Sequence, residues 1–410
     1  MKKLLIISYA FPPSNDPAIH RICRLAKHLP HFGWQPLLLT AREGAYFRKD
    51  IENQWFEKFF LKIYKTTDQR DQCFKMLLMS EKSKSTLRFL IKNFALPDPY
   101  FSWIRPAVET GNNLIKEHKP DAILATVNPY SSGLIGSRLS QNMGIPFIID
   151  YRDPWTLSRF HRENIMKHFF NIRLEKIMLN KADRIFVTSE PMKKLFTNHH
   201  YFPADKIHVV TNGTDEEMQY LADSPEASGL DLSKFNITYT GGFYNDRQPY
   251  DLLRGFAQFL KGNPDYRKTV RINFIGSEID QQTRNIIVEH ELQSSVSIFG
   301  EVSFKRSIKL LKESDILLII NGKGEYNHIF IPAKFFDYLA VEKPIFFVGK
   351  GQPADIIQKY NLGECALHQS GDIAQKLEKL LRMNINPKCP TEFKMENIAE
   401  KVAKILEELT

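Results

Sequence analysis

Short apolar runs alternate with helix-period patterns along most of this chain. Several runs are rich in β-branched residues and lack strict alternation of apolar and polar positions, which is typical of parallel strands covered on both faces. The helices between the runs impose parallel neighbours and right-handed crossovers. The pattern therefore predicts an α/β protein with two doubly wound domains in series. The predicted strands are Leu4–Ala10, Pro36–Thr40, Ala122–Thr126, Pro146–Asp150, Arg184–Thr188, His208–Thr211, Ile237–Thr240, Arg271–Ile275, Val296–Phe299, Ile316–Ile320, Ile345–Val348 and Glu364–Leu367.

The join between the two domains is predicted near Thr211–Leu232, where a polar stretch follows an apolar run. We expect residues 1–212 to form the first domain and residues 213–396 the second. Residues 397–410 follow as an amphipathic helix, which either caps its own domain or crosses back to the first. The apolar positions of this helix are Ile398, Val402, Ile405, Leu406 and Leu409.

Residues 42–105 interrupt the alternation and predict an insertion of helices in the first domain. The segment mixes lysines with many aromatic residues. Such aromatics are more often part of a core, but the mixture with lysine keeps a membrane-facing role open. The aromatics concerned are Trp55, Phe56, Phe59, Phe60, Phe89 and Phe94.

Length and charge narrow the class of protein. A chain of 410 residues is too long for one ordinary core, and 43% hydrophobic with 25% charged residues describes a globular protein. Residues 1–212 carry 32 Lys and Arg against 19 Asp and Glu, so the net charge of +9 is concentrated there. A basic front half indicates an anionic partner, such as a phosphorylated acceptor or a membrane surface. Nucleic acid is not expected, because no DNA- or RNA-binding motif accompanies the charge.

Cysteine usage and the chain start indicate a reducing, cytoplasmic compartment. The four cysteines show no metal-like or disulfide pairing. The opening MKKLLIISYAFPP resembles a signal peptide, but its short apolar run leads directly into a Pro-Pro loop, which favours a first buried strand. No apolar run approaches the roughly 18 residues that span a bilayer.

Polar residues follow the front-half strands, at the sheet edge where open parallel sheets bind ligands. The loop after the first strand leads into a helix start with His20 and Arg21, which suits an anion only weakly because the loop lacks glycine. Ser131 and Ser132 follow another strand and are equally consistent with helix capping. A third strand ends in IIDYRDPW, which holds Asp150, Arg152, Asp153 and Trp155. Three charges directly after a buried strand favour a site over an internal ion pair.

The back half offers a stronger combination. Gly241 and Gly242 follow a strand and allow close backbone approach to a diphosphate, and Arg247 lies just beyond them with a planar donor fork. Lys334 and Asp337 open a helix in IFIPAKFFDYLAVEKP, on a face distinct from its apolar side. A cation and an acid at a helix start suit a ligand with phosphate and hydroxyl groups, such as a nucleotide sugar. The alternative for this pair is a surface salt bridge.

Taken in order, these motifs resemble the retaining glycosyltransferases of the GT-B fold, specifically family 4. The resemblance covers nearly the whole chain and rests on the Phe-Pro-Pro opening, IPFIIDYRDPW, VTSEPMKKL, VTNGTDEEM, YTGGF and IPAKFFDYLAVEKPI. It implies two Rossmann-like domains that face each other across a cleft, with the acceptor bound by the first and the sugar nucleotide by the second. It also implies a C-terminal helix that crosses back.

The resemblance assigns roles to individual residues. Gly241, Gly242 and Arg247 match the positions that hold the donor diphosphate, Lys334 the position that faces the phosphates or sugar, and Asp337 the position that binds the ribose. Arg152 and Asp153 lie near the position of a family histidine that contacts the transferred sugar. Three departures stand out: Ile329 replaces one of two family acids, Ser14–Ala18 replace a glycine-rich first loop, and Phe243 replaces the arginine after the glycines.

We therefore expect a cytoplasmic enzyme that transfers a sugar, with retention, from a nucleoside diphosphate donor to a glycan or lipid-linked acceptor. Asp153, Arg152 and Lys334 are the predicted catalytic residues. No metal and no cofactor beyond the donor are expected. Cell-surface polysaccharide synthesis and peripheral membrane contact complete the prediction. The alternatives are a catalytically impaired GT-B protein that acts as an assembly partner, and a sugar-nucleotide epimerase.

Overall fold

The structure, a computed structural model, divides the chain into two compact units. Residues 1–212 and 395–410 form unit 1, and residues 213–394 form unit 2. The structure describes residues 1–14, 16, 18–43, 56–68, 95–158, 164–200, 202–216, 229–276 and 278–410. Among these residues, no helix is both long and apolar enough to cross a membrane.

Unit 1 is built on a parallel sheet of seven strands in the order β3-β2-β1-β4-β5-β6-β7. The order reverses between β1 and β4, which is the point where doubly wound sheets open a crevice for ligands. The strands are β1 (Lys2–Ile7), β2 (Trp34–Ala41), β3 (Lys62–Thr66), β4 (Ala122–Val127), β5 (Phe147–Tyr151), β6 (Arg184–Val187) and β7 (Ile207–Val209). The helices are α1 (Ala18–His28), α2 (Ile104–His118), α3 (Ser131–Met143), α4 (Ile165–Leu179) and α5 (Glu190–His200).

Helices cover both faces of this sheet, which explains its continuous apolar strands. Leu5 and Ile7 of β1 pack into one core cluster with α2 and α3, while Leu4 and Ile6 pack into another with α1. The second cluster also contains the last helix of the chain, α12 (Met395–Glu407), through residues such as Val402. The C-terminal helix therefore crosses back and closes one face of the first sheet.

Unit 2 is built on a parallel sheet of six strands in the order β10-β9-β8-β11-β12-β13. Its order reverses between β8 and β11. The strands are β8 (Phe235–Thr240), β9 (Val270–Ile275), β10 (Val296–Phe299), β11 (Ile316–Ile320), β12 (Ile345–Val348) and β13 (Gly363–Ala366). The helices are α6 (Tyr250–Gly262), α7 (Gln281–Glu289), α8 (Phe304–Glu313), α9 (Ala333–Val341), α10 (Gln352–Lys359) and α11 (Ser370–Arg382).

The predicted fold class is confirmed, since both sheets are parallel and covered by helices on both faces. All twelve predicted strands overlap strands of the structure. The expectation for residues 42–105 was incomplete, because the segment contributes the edge strand β3, whose sequence KIYKT is too rich in lysine to resemble a buried strand.

The described aromatics among the six named for that segment belong to the core. Phe56 is 2% exposed and Phe60 is 8% exposed, and the Phe60 ring packs edge-on against Phe11. Phe59 packs partly buried against the same cluster. Trp55, Phe89 and Phe94 lie outside the described residues.

Candidate functional site

The site in unit 2 is built where the order of the sheet reverses, at the carboxyl ends of β8 and β11. Gly241 directly follows β8 and has a φ of 95°, a left-handed conformation that other residues adopt only with strain. Its N–H donates to Ile275 O, at 2.8 Å, and is therefore not available to a ligand. Gly242 is exposed, and a Cβ added to it would meet nothing within 4 Å. The backbone at Gly242 is thus open to close approach by a ligand.

Lys334 reaches this glycine turn from the start of α9. Its Nζ donates to Thr240 O and lies 3.6 Å from the centroid of the Tyr239 ring. A Cβ added to Gly241 would lie only 3.2 Å from the same Nζ. Glycine is therefore required at position 241 both by the backbone conformation and by the lysine that packs on it.

Tyr338 fixes α9 against the sheet. Its buried hydroxyl accepts from the Thr240 N–H, at 3.1 Å, and donates to Leu318 O, also at 3.1 Å. This places α9 on the two strands that flank the reversal. Because Lys334 lies one turn before Tyr338, the same bonds hold the lysine over the end of β8.

The electrostatic environment of Lys334 is unusual for a lysine. Burial, assisted by the Arg247 cation, lowers the pKa of Lys334 to about 7, against the smaller opposing effect of Asp337. The ammonium is therefore held in surroundings that supply less negative charge than it requires. An anion at the glycine turn would supply the missing charge.

Arg247 is oriented by Asn327, a residue in the turn Glu325–Ile329 after β11. The Asn327 Oδ1 accepts from Arg247 Nε at 3.3 Å and from its NH2 at 3.2 Å. The Asn327 amide in turn donates to Asp246 Oδ2, at 2.9 Å. Asn327 is 1% exposed, so this amide bridges the loops after β8 and β11 from within the protein.

One further polar side chain at this edge of the unit 2 sheet was not predicted from the sequence. The imidazole of His368, which follows β13, lies 2.9 Å from Asn321 O and 3.1 Å from Asp251 Oδ2. Lys323 Nζ pairs with the same carboxylate at 2.7 Å. The only sequence signal was the position of His368 just beyond a strand. Ile329 lies at the end of the turn that contains Asn327, so no acid occupies that position.

In unit 1, the residues after β5 form a tightly bonded loop. Arg152 NH2 donates to Asn128 O, and its backbone O accepts from Thr188 Oγ1 at 3.2 Å. Trp155 is 2% exposed and stacks on Tyr130, with ring centroids 4.4 Å apart. Asp153 is partly exposed at the same turn. Arg152 and Asp153 therefore lie on a fixed loop at the carboxyl edge of the first sheet.

Glu175 of α4 supports this loop from below. Its carboxylate accepts from Tyr151 OH at 3.0 Å, from the Thr156 N–H at 3.2 Å, and from the Thr156 hydroxyl. Burial raises the pKa of Glu175 to about 7, against the lowering effect of these hydrogen bonds. The loop is therefore hydrogen-bonded to a buried acid, which becomes protonated as the pH falls through about 7.

The expected site role of Asp150 is wrong, because this residue forms an internal ion pair. Arg21 NH2 lies 2.6 Å from Asp150 Oδ1, Arg21 Nε donates to Oδ2 at 3.0 Å, and both side chains are at most 5% exposed. Arg21 also donates to Val210 O and Thr211 O. The sequence places the two residues 129 positions apart, so neither identified the other.

The helix start after β1 does not supply the expected cations either. Arg21 is committed to Asp150, and burial, with the nearby Arg24 cation, lowers the pKa of His20 to about 3. His20 is therefore neutral at physiological pH. These two side chains therefore offer no cation to an anion at this helix start.

Asp98 occupies the N-terminus of α3. Its carboxylate accepts from the Ser131 N–H at 2.8 Å and from Ser131 Oγ at 2.7 Å, and it is 7% exposed. Burial raises the pKa of Asp98, against these bonds. Ser131 is thus a donor to an internal acid and does not cap its own helix. The sequence separation of the two residues concealed this contact.

The structure thus brings Gly241, Gly242, Lys334 and Arg247 to one edge of unit 2, with Asp337 close enough to Lys334 to act on its charge. Arg152 and Asp153 lie together on one loop of unit 1. Among the described residues, no group of three or more His, Cys, Asp and Glu side chains is arranged to hold a metal ion.

Comparison with known proteins agrees with this architecture. Residues 20–218 match the model of Glycosyltransferase Family 4. An uncharacterized glycosyltransferase of Methanocaldococcus jannaschii is 20% identical over 164 residues, a match that spans 40% of this chain and 41% of that relative. The alignment therefore covers less than half of either protein.

Two solved structures share the fold over their length. Anabaena HepE in complex with UDP is 15% identical, covers 100% of both chains and has a TM-score of 0.66. The sucrose-phosphate synthase of Thermosynechococcus elongatus is 14% identical, covers 100% of this chain and 99% of its own, with a TM-score of 0.66. These likenesses show that the chain has the GT-B fold. The matched residues, just under half of the chain, are thus similar to Family 4 glycosyltransferases, the family that the sequence motifs resemble.

Proposed function

We propose that this protein is a glycosyltransferase that moves a sugar, with retention, from a nucleoside diphosphate donor to a glycan or lipid-linked acceptor. The observation that carries the proposal is Lys334, a half-buried lysine whose pKa is lowered to about 7, held over the Gly241–Gly242 turn where the sheet of unit 2 reverses. HepE, which shares the fold, is known in complex with UDP-glucose.

The donor diphosphate is proposed to lie on the glycine turn. Lys334 would supply the charge that balances the leaving diphosphate, and Gly242 would allow the phosphate oxygens to approach the backbone. Arg247, oriented by Asn327, would bind an oxygen from the side. Asp337 is proposed to accept hydrogen bonds from the ribose hydroxyls. These groups stabilise charge that develops as the bond to the sugar breaks, and we propose that no metal is required.

Arg152 and Asp153 are proposed to position the reacting sugar and acceptor. Their loop is fixed by the Tyr130–Trp155 stack and by Glu175, so the two charged side chains extend from a rigid backbone. The basic balance of residues 1–212 favours an anionic acceptor, such as a phosphate-linked lipid carrier. A role in cell-surface polysaccharide synthesis on the cytoplasmic side fits such an acceptor.

A thermal-shift screen against nucleoside diphosphates and their sugars tests the donor proposal. Binding to the folded state raises the midpoint, so at least one nucleoside diphosphate should do so with and without EDTA. Sugar transfer from that donor should fall by roughly 100-fold or more in Lys334→Ala, as expected for loss of a transition-state charge contact. Normal transfer by a folded Lys334→Ala variant would remove Lys334 from the mechanism.

Ile329 favours a second candidate, a catalytically impaired protein that binds the donor and assists glycan assembly. It supplies no acid at the position where the family has one. Product analysis with donor and acceptor separates the two candidates. Donor binding without transfer or hydrolysis supports the impaired protein, and conversion of the donor sugar in the absence of acceptor identifies an epimerase.

A further inference from the structure

Helix α4 has its polar and apolar sides reversed. Its buried positions include Lys167, Asn171 and Glu175, which are 7%, 0% and 0% exposed. In an ordinary surface helix these positions would be apolar and the outer face polar. The inward polar stripe has a structural reason, since Glu175 binds Tyr151 and Thr156 under the loop after β5.

The outer face of α4 is apolar over its whole length. Six large hydrophobic side chains are between 42% and 87% exposed there. At 100° per residue they fall within one arc of about 160°, so they form a continuous surface and not scattered positions. We call this surface the α4 face. Its apolar residues are Ile165, Met166, Phe169, Phe170, Ile172 and Ile177.

The charges on the α4 face are positive. Arg173 and Lys176 are exposed within the same arc, and the Arg173 guanidinium lies 4.4 Å from the centroid of the Phe169 ring. The helix Ile165–Leu179 contains one acid, Glu175, and that residue is buried. Lys181 adds an exposed cation just beyond the helix. Within Ile165–Leu179, all of which the structure describes, the apolar surface carries cations and no exposed acid. Such a surface complements one that is apolar in depth and anionic at its border.

We propose that the α4 face docks unit 1 on an anionic lipid bilayer. Phe169, Phe170 and Ile177 would enter the boundary between headgroups and acyl chains, where amphipathic helices bury their apolar sides. Arg173, Lys176 and Lys181 would lie at the level of the lipid phosphates. The excess of 32 Lys and Arg over 19 Asp and Glu in residues 1–212 acts in the same direction. Helix α4 thus provides a defined contact surface, in place of the segment 42–105 from which membrane contact was first predicted.

The alternative partner for the α4 face is a second copy of the chain. Self-association would bury the same apolar residues but would bring Arg173 and Lys176 of two copies together. Like charges in an apolar interface cost affinity, so the distribution of charge favours lipid.

Cosedimentation of the full chain with phosphatidylglycerol vesicles tests the proposal, with phosphatidylcholine vesicles as the neutral reference. The wild type should pellet with the anionic vesicles, and 1 M NaCl should release it by shortening the screening length to about 3 Å. The double variant Phe169→Ser/Phe170→Ser should lower the vesicle affinity at least about tenfold. Arg173→Glu/Lys176→Glu should lower it by at least about 25-fold, since each of the two cations contributes about fivefold.

A matched control replaces two exposed apolar residues of unit 2, Val288 and Ile298, which are 61% and 46% exposed. The Val288→Ser/Ile298→Ser variant should pellet as the wild type does. All variants alter exposed side chains, so their thermal midpoints should match the wild type, and donor binding in unit 2 should be unchanged. Salt-insensitive or absent pelleting of the wild type overturns the proposal. So does light scattering that shows a wild-type dimer which Phe169→Ser/Phe170→Ser converts to a monomer.

Discussion

At the scale of single residues, Gly241 and Lys334 depend on each other in the candidate donor site. The left-handed conformation of Gly241 leaves room for Lys334 to pack directly against the carboxyl end of β8. Gly241→Ala should destabilise the protein by about 1–2 kcal/mol through backbone strain and should weaken donor binding, because the new Cβ meets Lys334 Nζ. Gly262→Ala is the matched control, since its added Cβ meets nothing within 4 Å. Thermal denaturation measures the loss of stability, and donor titration measures the loss of affinity. If the two variants have the same stability and the same donor affinity, Gly241 has no role in the site.

The lowered pKa of Lys334 predicts a pH dependence of donor affinity. The side chain is charged below its pKa of about 7 and loses its charge as the pH rises through that value. Because the diphosphate of a nucleoside diphosphate sugar stays anionic there, donor affinity should fall between about pH 7 and pH 9. Lys334→Arg keeps its charge and should flatten the profile. A wild-type profile that is already flat over this range would contradict the assignment.

The sequence predicted the clustering of the candidate residues better in unit 2 than in unit 1. Gly241, Lys334 and Arg247 follow strands or open a helix in one domain, so local pattern and topology sufficed to bring them to one edge. Asp150 lies near the end of β5, but its partner Arg21 lies far away in sequence on α1, and only the folded structure brings the two side chains together. Asp98 and His368 act through tertiary contacts that leave no local pattern.

At the scale of elements, the Arg21–Asp150 pair joins α1 to the end of β5 and to the chain at Val210–Thr211. Arg21→Met should cost about 3–5 kcal/mol of unfolding free energy, because it leaves a buried carboxylate without its partner. The double variant Arg21→Met/Asp150→Leu should recover much of that loss, since both charges are then removed. Urea denaturation compares them, and a double variant no more stable than the single one would speak against an isolated buried pair.

Glu175 couples α4 to the loop that carries Arg152 and Asp153, and its raised pKa predicts a pH signature. The folded state holds the proton up to about pH 7, whereas the unfolded chain releases it near pH 4.5. The proton on Glu175 therefore stabilises the fold fully below about 4.5, and that stability is lost as the pH rises to about 7. Glu175→Gln should remove this part of the pH dependence in denaturation curves. An unchanged dependence would locate the titrating group elsewhere.

The hydrophobic pattern predicted the strands that are buried on both faces. It did not predict the edge strand β3 or the orientation of the surface helix α4. β3 is an edge strand with two lysines in five residues, which hides its period. Helix α4 has apolar residues on its outer side and polar ones on its inner side, so periodicity alone cannot tell which side is buried. The buried acid that orients it becomes visible only with its partners.

At the scale of the whole molecule, the two parallel sheets were predictable because their strands are continuous apolar runs separated by helices. Strand order follows from right-handed crossovers, and the ligand edges follow from the reversal of that order. The assignment of the last helix to the first unit could not be decided from its amphipathic pattern, because both sheets offer apolar faces. Its contacts with α1 settle that point.

The central claim is that the donor diphosphate is held by Lys334 at the glycine turn of unit 2. Calorimetric titration of UDP, or of whichever nucleoside diphosphate gives the largest thermal shift, tests it most directly. The wild type and Lys261→Ala, which removes an exposed lysine at the end of α6, should bind with the same Kd, and Lys334→Ala should bind at least about tenfold more weakly. Equal affinity of Lys334→Ala and the wild type would contradict the claim.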